Sequence, residues 1–227
     1  MDKVLQMLQL QQQLNDATNG KNWEEGVTKN GKTINWKRCI YMESAELIDS
    51  FAWKHWKSIH QEPDWHNLQI EVVDVWHFVM SLVLQEYRLN MTGTLEDAAM
   101  GIAQMPHYQV LDEESIDFEK PELIMIQIEA LMRDVLQTGK VKLSGILADF
   151  FELARMSALD IHSLYRLYVG KNILNQFRQD HGYKEGSYIK EWNGLEDNAV
   201  MKRIWEESGE LKPEALYKEL EKQYSQL

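Results

Sequence analysis

The densest apolar run in the chain lies between Leu68 and Leu84, where only Gln69, Glu71, Asp74, His77 and Ser81 interrupt Leu, Ile, Val, Trp, Phe and Met. Apolar residues on nearly every face predict a helix buried inside the fold, because a surface helix would keep a polar side. The run is too long for an ordinary strand, although its β-branched content leaves some strand character. It also reaches the length at which membrane spans begin; the acids within it and its polar flanks argue against spanning. Helical spacing recurs on both sides. Val4, Leu5, Met7, Leu8, Leu10 and Leu14 predict a helix over 3–16, stopped at Asn19-Gly20. Residues 19–37 read as loop, with a turn at Asn30-Gly31, and a second helix is expected over 38–59, broken at Pro63 and Asp64. Further helices are expected near 95–104, from Pro121 to about 137, over 143–159, from 160 to a stop at Gly182, and over 195–208 and 213–225. No fixed-period repeat and no glycine-rich phosphate loop is present. The fold class is all-α, a multi-helix bundle.

Composition agrees. The 227 residues suffice for a full core, and 44% hydrophobic content with only 12 Gly and 4 Pro favours long helices. A net charge of −12 argues against nucleic-acid or anionic-membrane partners. A lone Cys39 excludes internal disulfides and fits a reducing compartment. The start, MDKVLQMLQLQQQLND, lacks the pattern of a signal peptide, so a cytoplasmic location is expected. Between 90 and 122 the character changes: Glu96, Asp97, Asp112, Glu113, Glu114, Asp117, Glu119 and Glu122 gather against Lys120. This reads as an acidic, loosely packed, mobile insertion with a solvated face, in a rigid helical core of 1–89 and 123–227 that carries the site.

The candidate chemistry sits in the second and third helices. Glu43 and Glu46 are three apart, and Glu71 and Asp74 repeat that spacing inside the buried run. Such pairs project from one helix face, so antiparallel helices would set four carboxylates across a gap. Like charges in an apolar setting need divalent cations or protons, and oxygen-only ligands suit Mg²⁺, with Mn²⁺ as a substitute. Pairing of Glu71 and Asp74 with a neighbouring Lys or Arg is the plainer alternative.

Elsewhere, Gln12 and Asn15 share a spacing that lets two amides point one way, as reading a nucleobase edge requires; a solvated glutamine-rich face explains them as well. Trp53, Trp56 and Trp65 read as core or interface, one of them alternatively as a stacking partner for a base. Lys171, Asn175 and Arg178 share a face, and Lys171, Arg178, Lys184 and Lys190 form a local basic excess beside Gly182 and Gly186. That suits a polyphosphate lid, or a solvated basic turn. The seven His residues lack ligand spacing and read as structural or surface. Facing carboxylates plus a Lys/Arg cluster form the two halves of a phosphate-transfer site, with water as nucleophile and one glutamate as proton acceptor.

LQQQLND, RCIYMESAELIDSFAWKHWK, IEVVDVWHF and, above all, YVGKNILNQFRQDHGYKEGSYIKEWNGLEDN resemble the dimeric dUTPases, an all-α family of NTP pyrophosphatases. The resemblance covers about three-quarters of the chain and leaves 90–122 unmatched. It implies Glu43, Glu46, Glu71 and Asp74 as Mg²⁺ ligands, with Glu46 also orienting the water. It places Gln12, Asn15 and Asn175 around uracil and deoxyribose, Phe78 against the sugar, and Trp53 or Trp56 beside the base. Lys171, Arg178, Lys184 and Lys190, with Tyr183 and Asn198, would hold phosphates. The implied reaction is hydrolysis of dUTP, and dUDP, to dUMP by a homodimer, through water attack at the β-phosphorus with several Mg²⁺ ions. A pyrophosphatase of the same superfamily acting on another nucleotide is the alternative.

Overall fold

The computed structural model describes residues 2–57, 62–90, 93–112, 116–208 and 212–227, and leaves the His66 side chain undescribed. Among the described residues the regular elements are helices, apart from one two-stranded hairpin and two isolated β-bridges. The helices are α1 (Asp2–Asn19), α2 (Trp36–Asp49), α3 (Trp65–Asn90), α4 (Leu95–Ala103), α5 (Pro106–Gln109), α6 (Pro121–Leu136), α7 (Leu143–Met156), α8 (Ile161–Asp180), α9 (Asp197–Ser208) and α10 (Pro213–Tyr224). The hairpin pairs β1 (Glu191–Trp192) with β2 (Leu195–Glu196). The chain divides into two compact units, Met1–Tyr165 and Arg166–Leu227, and the division falls inside α8.

In the first unit α3 is the central rod, buried over most of its surface as its composition predicts: Val72, Val73, Val75, Trp76, Val79, Met80, Leu82 and Val83 are almost fully covered, while Glu71, Asp74 and Phe78 share a half-buried face. The helix is long and apolar enough to cross a membrane, but most of it is buried inside the fold. Trp76 stacks on Phe150 of α7 with centroids 4.6 Å apart, and its Nε1 donates to the Met7 sulfur of α1 at 3.4 Å. α1 buries a stripe of Val4, Met7, Leu8, Gln11 and Asn15, which is the helical period with two amides on the core side. α2 is capped by the Asn35 side chain, which accepts from the Arg38 backbone N–H at 2.9 Å. It packs against both α3 and α6.

The second helix is shorter than the expected 38–59. It ends at Asp49, because the next residues have other partners. The Asp49 carboxylate accepts from Trp53 Nε1 and Lys54 Nζ, and the Ser50 carbonyl accepts from the Asp64 N–H at 2.9 Å, turning the chain back. Residues 58–61 lie outside the described residues. The stretch 90–122 lies within the first unit and is more packed than its acid content suggests. α4 is closed by a Thr94–Asp97 capping box and buries Ala98, Ala99 and Ile102, and α1 is one of its packing partners. Tyr108 and Leu111 are also buried. Glu96, Asp97, Asp112 and Asp117 are exposed, as expected of a solvated face; Glu113 and Glu114 lie outside the described residues.

The second unit is built on α8. At Gly170 a Cβ would lie 2.7 Å from the Met201 sulfur and 3.3 Å from the Trp205 ring, so α9 approaches here as only glycine allows. The hairpin turns on Asn193 and Gly194, both at positive φ (51° and 84°), the conformation that Asn-Gly adopts most readily. Phe177, His181, Tyr188, Trp192, Tyr217 and Tyr224 form an aromatic core between α8, the hairpin and α10.

Candidate active site

α2 and α3 run antiparallel, as their contacts require. Ser50 Oγ at the end of α2 accepts from Asn67 Nδ2 near the start of α3 at 3.3 Å, while Trp36 at the start of α2 stacks on Phe78 far along α3, centroids 6.0 Å apart. Between these contacts Glu43, Glu46 and Glu71 come together, with one carboxylate oxygen of each within 4.8 Å of the others. Glu43 and Glu71 are half-buried and Glu46 is exposed. Asn67, one turn before Glu71, donates to its Oε1 at 3.2 Å and aims it. Asp74, one turn beyond and half-buried, lies outside this group, so three of the four expected carboxylates converge. The Glu43 charge reaches Cys39: burial pushes its thiol above the ordinary range, Glu43 adds to the rise, and Arg38 opposes it. The donor set is carboxylate oxygen alone, which fits a hard divalent cation.

Beside this, α1 meets α3 through a buried polar network. Ser81 Oγ accepts from Gln11 Nε2 at 3.1 Å and from Asn15 Nδ2 at 3.0 Å, and donates to the His77 carbonyl at 2.9 Å. Gln11 Nε2 also donates to Asn15 Oδ1, and His77 Nδ1 donates to Gln11 Oε1 at 2.8 Å. Sequence spacing pairs Asn15 with Gln12, and here the structure differs: Gln12 is half-buried and donates to Asp16 and Glu24. It lines a cleft of about 320 Å³ with Tyr87, Arg88 and Leu95. Gln11, His77 and Ser81 are the residues the spacing missed. Their signal was present, as i, i+4 polar pairs on otherwise apolar stripes.

Phe78 is half-buried and stacks on Trp36, itself edge-on to Trp23. Trp53 and Trp56 are 41% and 61% exposed and meet each other edge to face at 5.5 Å. Trp65 leaves that pair and packs on Phe51 and Phe118.

In the second unit the α8 face holds as expected. Lys171 and Arg178 are buried, and Asn175 between them is half-buried. Lys171 Nζ donates to Asn198 Oδ1 at 2.8 Å. Arg178 donates from Nε and Nη2 to the two carboxylate oxygens of Asp197, both at 2.8 Å, and from Nη1 to Asn175 Oδ1 at 3.1 Å. Tyr183 lies under the Arg178 guanidinium at 5.8 Å and the Lys190 ammonium at 5.6 Å. Lys184 is exposed on the turn. Asp197, which spacing did not single out, is the centre of the cluster. Burial pushes its carboxyl up, but Arg178, the Tyr188 hydroxyl and Lys171 together hold it below the usual range.

A family described as dUTPase matches residues 3–183. The match takes in every site residue named in the first unit, the stretch 90–122, and Lys171, Asn175, Arg178 and Tyr183; it ends before Lys184, Lys190 and Asn198. No curated protein matches the chain. A match over more than three-quarters of the length, on an all-helical fold with converging carboxylates, is decisive: the chain belongs to the dUTPase family and is a dUTP diphosphatase.

Proposed function

We propose that this dUTPase is Mg²⁺-dependent, accepts dUDP as well as dUTP, releases dUMP, and so limits uracil incorporation into DNA. The observation that carries the reading is the convergence of three carboxylates, from two antiparallel helices, within 4.8 Å. Glu43, Glu46, Glu71 and Asp74 are the proposed ligands for Mg²⁺, or Mn²⁺ in its place; ions so held neutralise polyphosphate oxygens and draw electron density from the phosphorus under attack. Glu46, the exposed member, takes the proton of the attacking water. The water oxygen bonds to the β-phosphorus, the bond from that phosphorus to the oxygen bridging the α-phosphorus breaks, and its electron pair leaves with dUMP. Pyrophosphate is the other product, or phosphate when dUDP is the substrate.

Asn15, fixed by Gln11 and Ser81, is the proposed reader of uracil, with Gln12 at its edge. Phe78 offers a flat apolar face to deoxyribose, and one of the exposed Trp53 and Trp56 borders the base. In the second unit, Lys171, Asn175, Arg178, Tyr183, Lys184, Lys190 and Asn198 serve the phosphates and sugar. The resemblance to dimeric dUTPases supports a homodimer, and the single cysteine suits a cytoplasmic location.

Purified protein incubated with dUTP, dUDP, dCTP and dTTP, with Mg²⁺ or with EDTA, tests this. Release of dUMP from the two uracil nucleotides in Mg²⁺ alone is expected. Equal turnover in EDTA overturns the metal reading, and preference for dCTP overturns the uracil reading.

A further inference from the structure

Resting on that reading of the site, the geometry points to Asp197 as a positioning residue, seconded by Tyr188: its buried carboxylate holds Arg178 so that the amides of Asn175 and Asn198 face the nucleotide as hydrogen-bond donors. The guanidinium of Arg178 and the ammonium of Lys171 carry donors only. Asn175 therefore turns its Oδ1 to Arg178 Nη1, and Asn198 turns its Oδ1 to Lys171 Nζ at 2.8 Å and Arg178 Nη2 at 3.4 Å. Neither amide can flip without setting donors against donors, so both Nδ2 groups point away from the cations. Both asparagines are half-buried, not sealed. Two NH₂ groups held in this way match oxygens that accept only, those of a phosphate or the ring oxygen of the sugar.

Arg178 itself is committed elsewhere. Its Nε and Nη2 form a two-pronged bond to Asp197, with side chains only 10% and 2% exposed, so its charge is largely balanced within the fold. It serves the nucleotide through the amides. Asp197 is fixed in turn from three directions. The Asn193-Gly194 turn places it at the start of α9, its N–H donates to the Lys190 carbonyl at 2.9 Å, and Tyr188 Oη donates to its Oδ2 at 2.9 Å. Tyr188 lies flat on Tyr224 of α10, 5.3 Å between centroids and 10° between planes, and Tyr224 Oη accepts from the Ile189 N–H. The brace thus lies in residues beyond the family match, which ends at 183.

A rival account has Asp197 standing where a phosphate would sit and blocking Arg178; it predicts the opposite sign. The test compares wild type, Asp197→Asn and Tyr188→Phe by calorimetric Kd for the non-hydrolysable α,β-imido-dUTP, by KM and kcat on dUTP, and by melting temperature. Positioning predicts that Kd and KM rise about tenfold in Asp197→Asn and about threefold in Tyr188→Phe, with kcat at saturation within about threefold, since binding is lost equally from ground and transition states. Tighter or unchanged binding in both variants overturns the inference. Should Asp197→Asn fail to fold, Tyr188→Phe decides by the same criterion. A wild type that binds the analogue without hydrolysing dUTP overturns the proposed function and leaves the Kd comparison to decide this inference; a wild type that binds no analogue overturns both.

Discussion

Two clusters of charge, one in each unit, are assembled on opposite rules. Between α2 and α3, carboxylates are drawn to within 4.8 Å of one another, half-buried or exposed, with Asn67 aiming one of them. Between α8 and α9, a carboxylate and a guanidinium meet two-pronged at 2.8 Å and are buried. Gathering like charges raises the energy of the folded chain, and a bound divalent cation lowers it again, so such a cluster suits a ligand. Pairing opposite charges under cover fixes geometry, and breaking one partner is costly. The first cluster is where chemistry is expected and the second where shape is kept.

The largest effect is expected at Glu46. Glu46→Gln should lower turnover by about a thousandfold, the range of a lost general base, while the melting temperature stays within a few degrees. Dye-free scanning calorimetry alongside dUMP release checks both halves, and near-wild-type turnover would remove Glu46 from the mechanism.

Next in size is the buried pair. Asp197→Asn should destabilise the protein by about 3 kcal/mol at neutral pH, because it leaves a buried Arg178 without its counter-charge. The sign with pH follows from the lowered carboxyl of Asp197. A group with a depressed folded pKa stabilises above its unfolded value, about 4, and loses that contribution as pH falls through the folded value. The gap between wild type and variant in urea unfolding should therefore narrow below about pH 4.

A smaller effect of opposite sign is expected at Asp149 on α7. Burial pushes its carboxyl up, with Asp134 adding to the rise. The folded state then favours the proton, so the charged form costs stability at neutral pH and the cost fades as pH falls. Asp149→Asn should raise the melting temperature by about 1–2 °C at pH 7.5, with the difference closing as pH falls toward the unfolded value of about 4. A lowered melting temperature at pH 7.5 would count against it.

How much of this was legible in sequence depended on the range of the interaction. α3 announced itself through composition, and the i, i+3 spacing of Glu43 with Glu46 and of Glu71 with Asp74 pointed to the two helices whose carboxylates Glu43, Glu46 and Glu71 converge. The α1 stripe at 4, 7, 8, 11 and 15 also held the information that puts Gln11 on the core side with Asn15; pairing Gln12 with Asn15 followed i, i+3 spacing and missed the stripe. The end of α2 at Asp49 was not readable from Pro63, because it is set by Asp49 and Ser50 bonding to residues beyond the helix. Asp197 was out of reach. Its partnership with Arg178 spans nineteen residues and exists only because a two-residue turn at Asn193-Gly194 returns the chain.

The carboxylate site is probed most sharply by the Mg²⁺ activation curve for dUTP hydrolysis, taken on wild type and Glu71→Gln. Turnover should vanish without divalent cation, and the half-activating Mg²⁺ concentration should be at least about tenfold higher in the variant, as expected for loss of one charged ligand. Superimposable curves, or full turnover in EDTA, would contradict it.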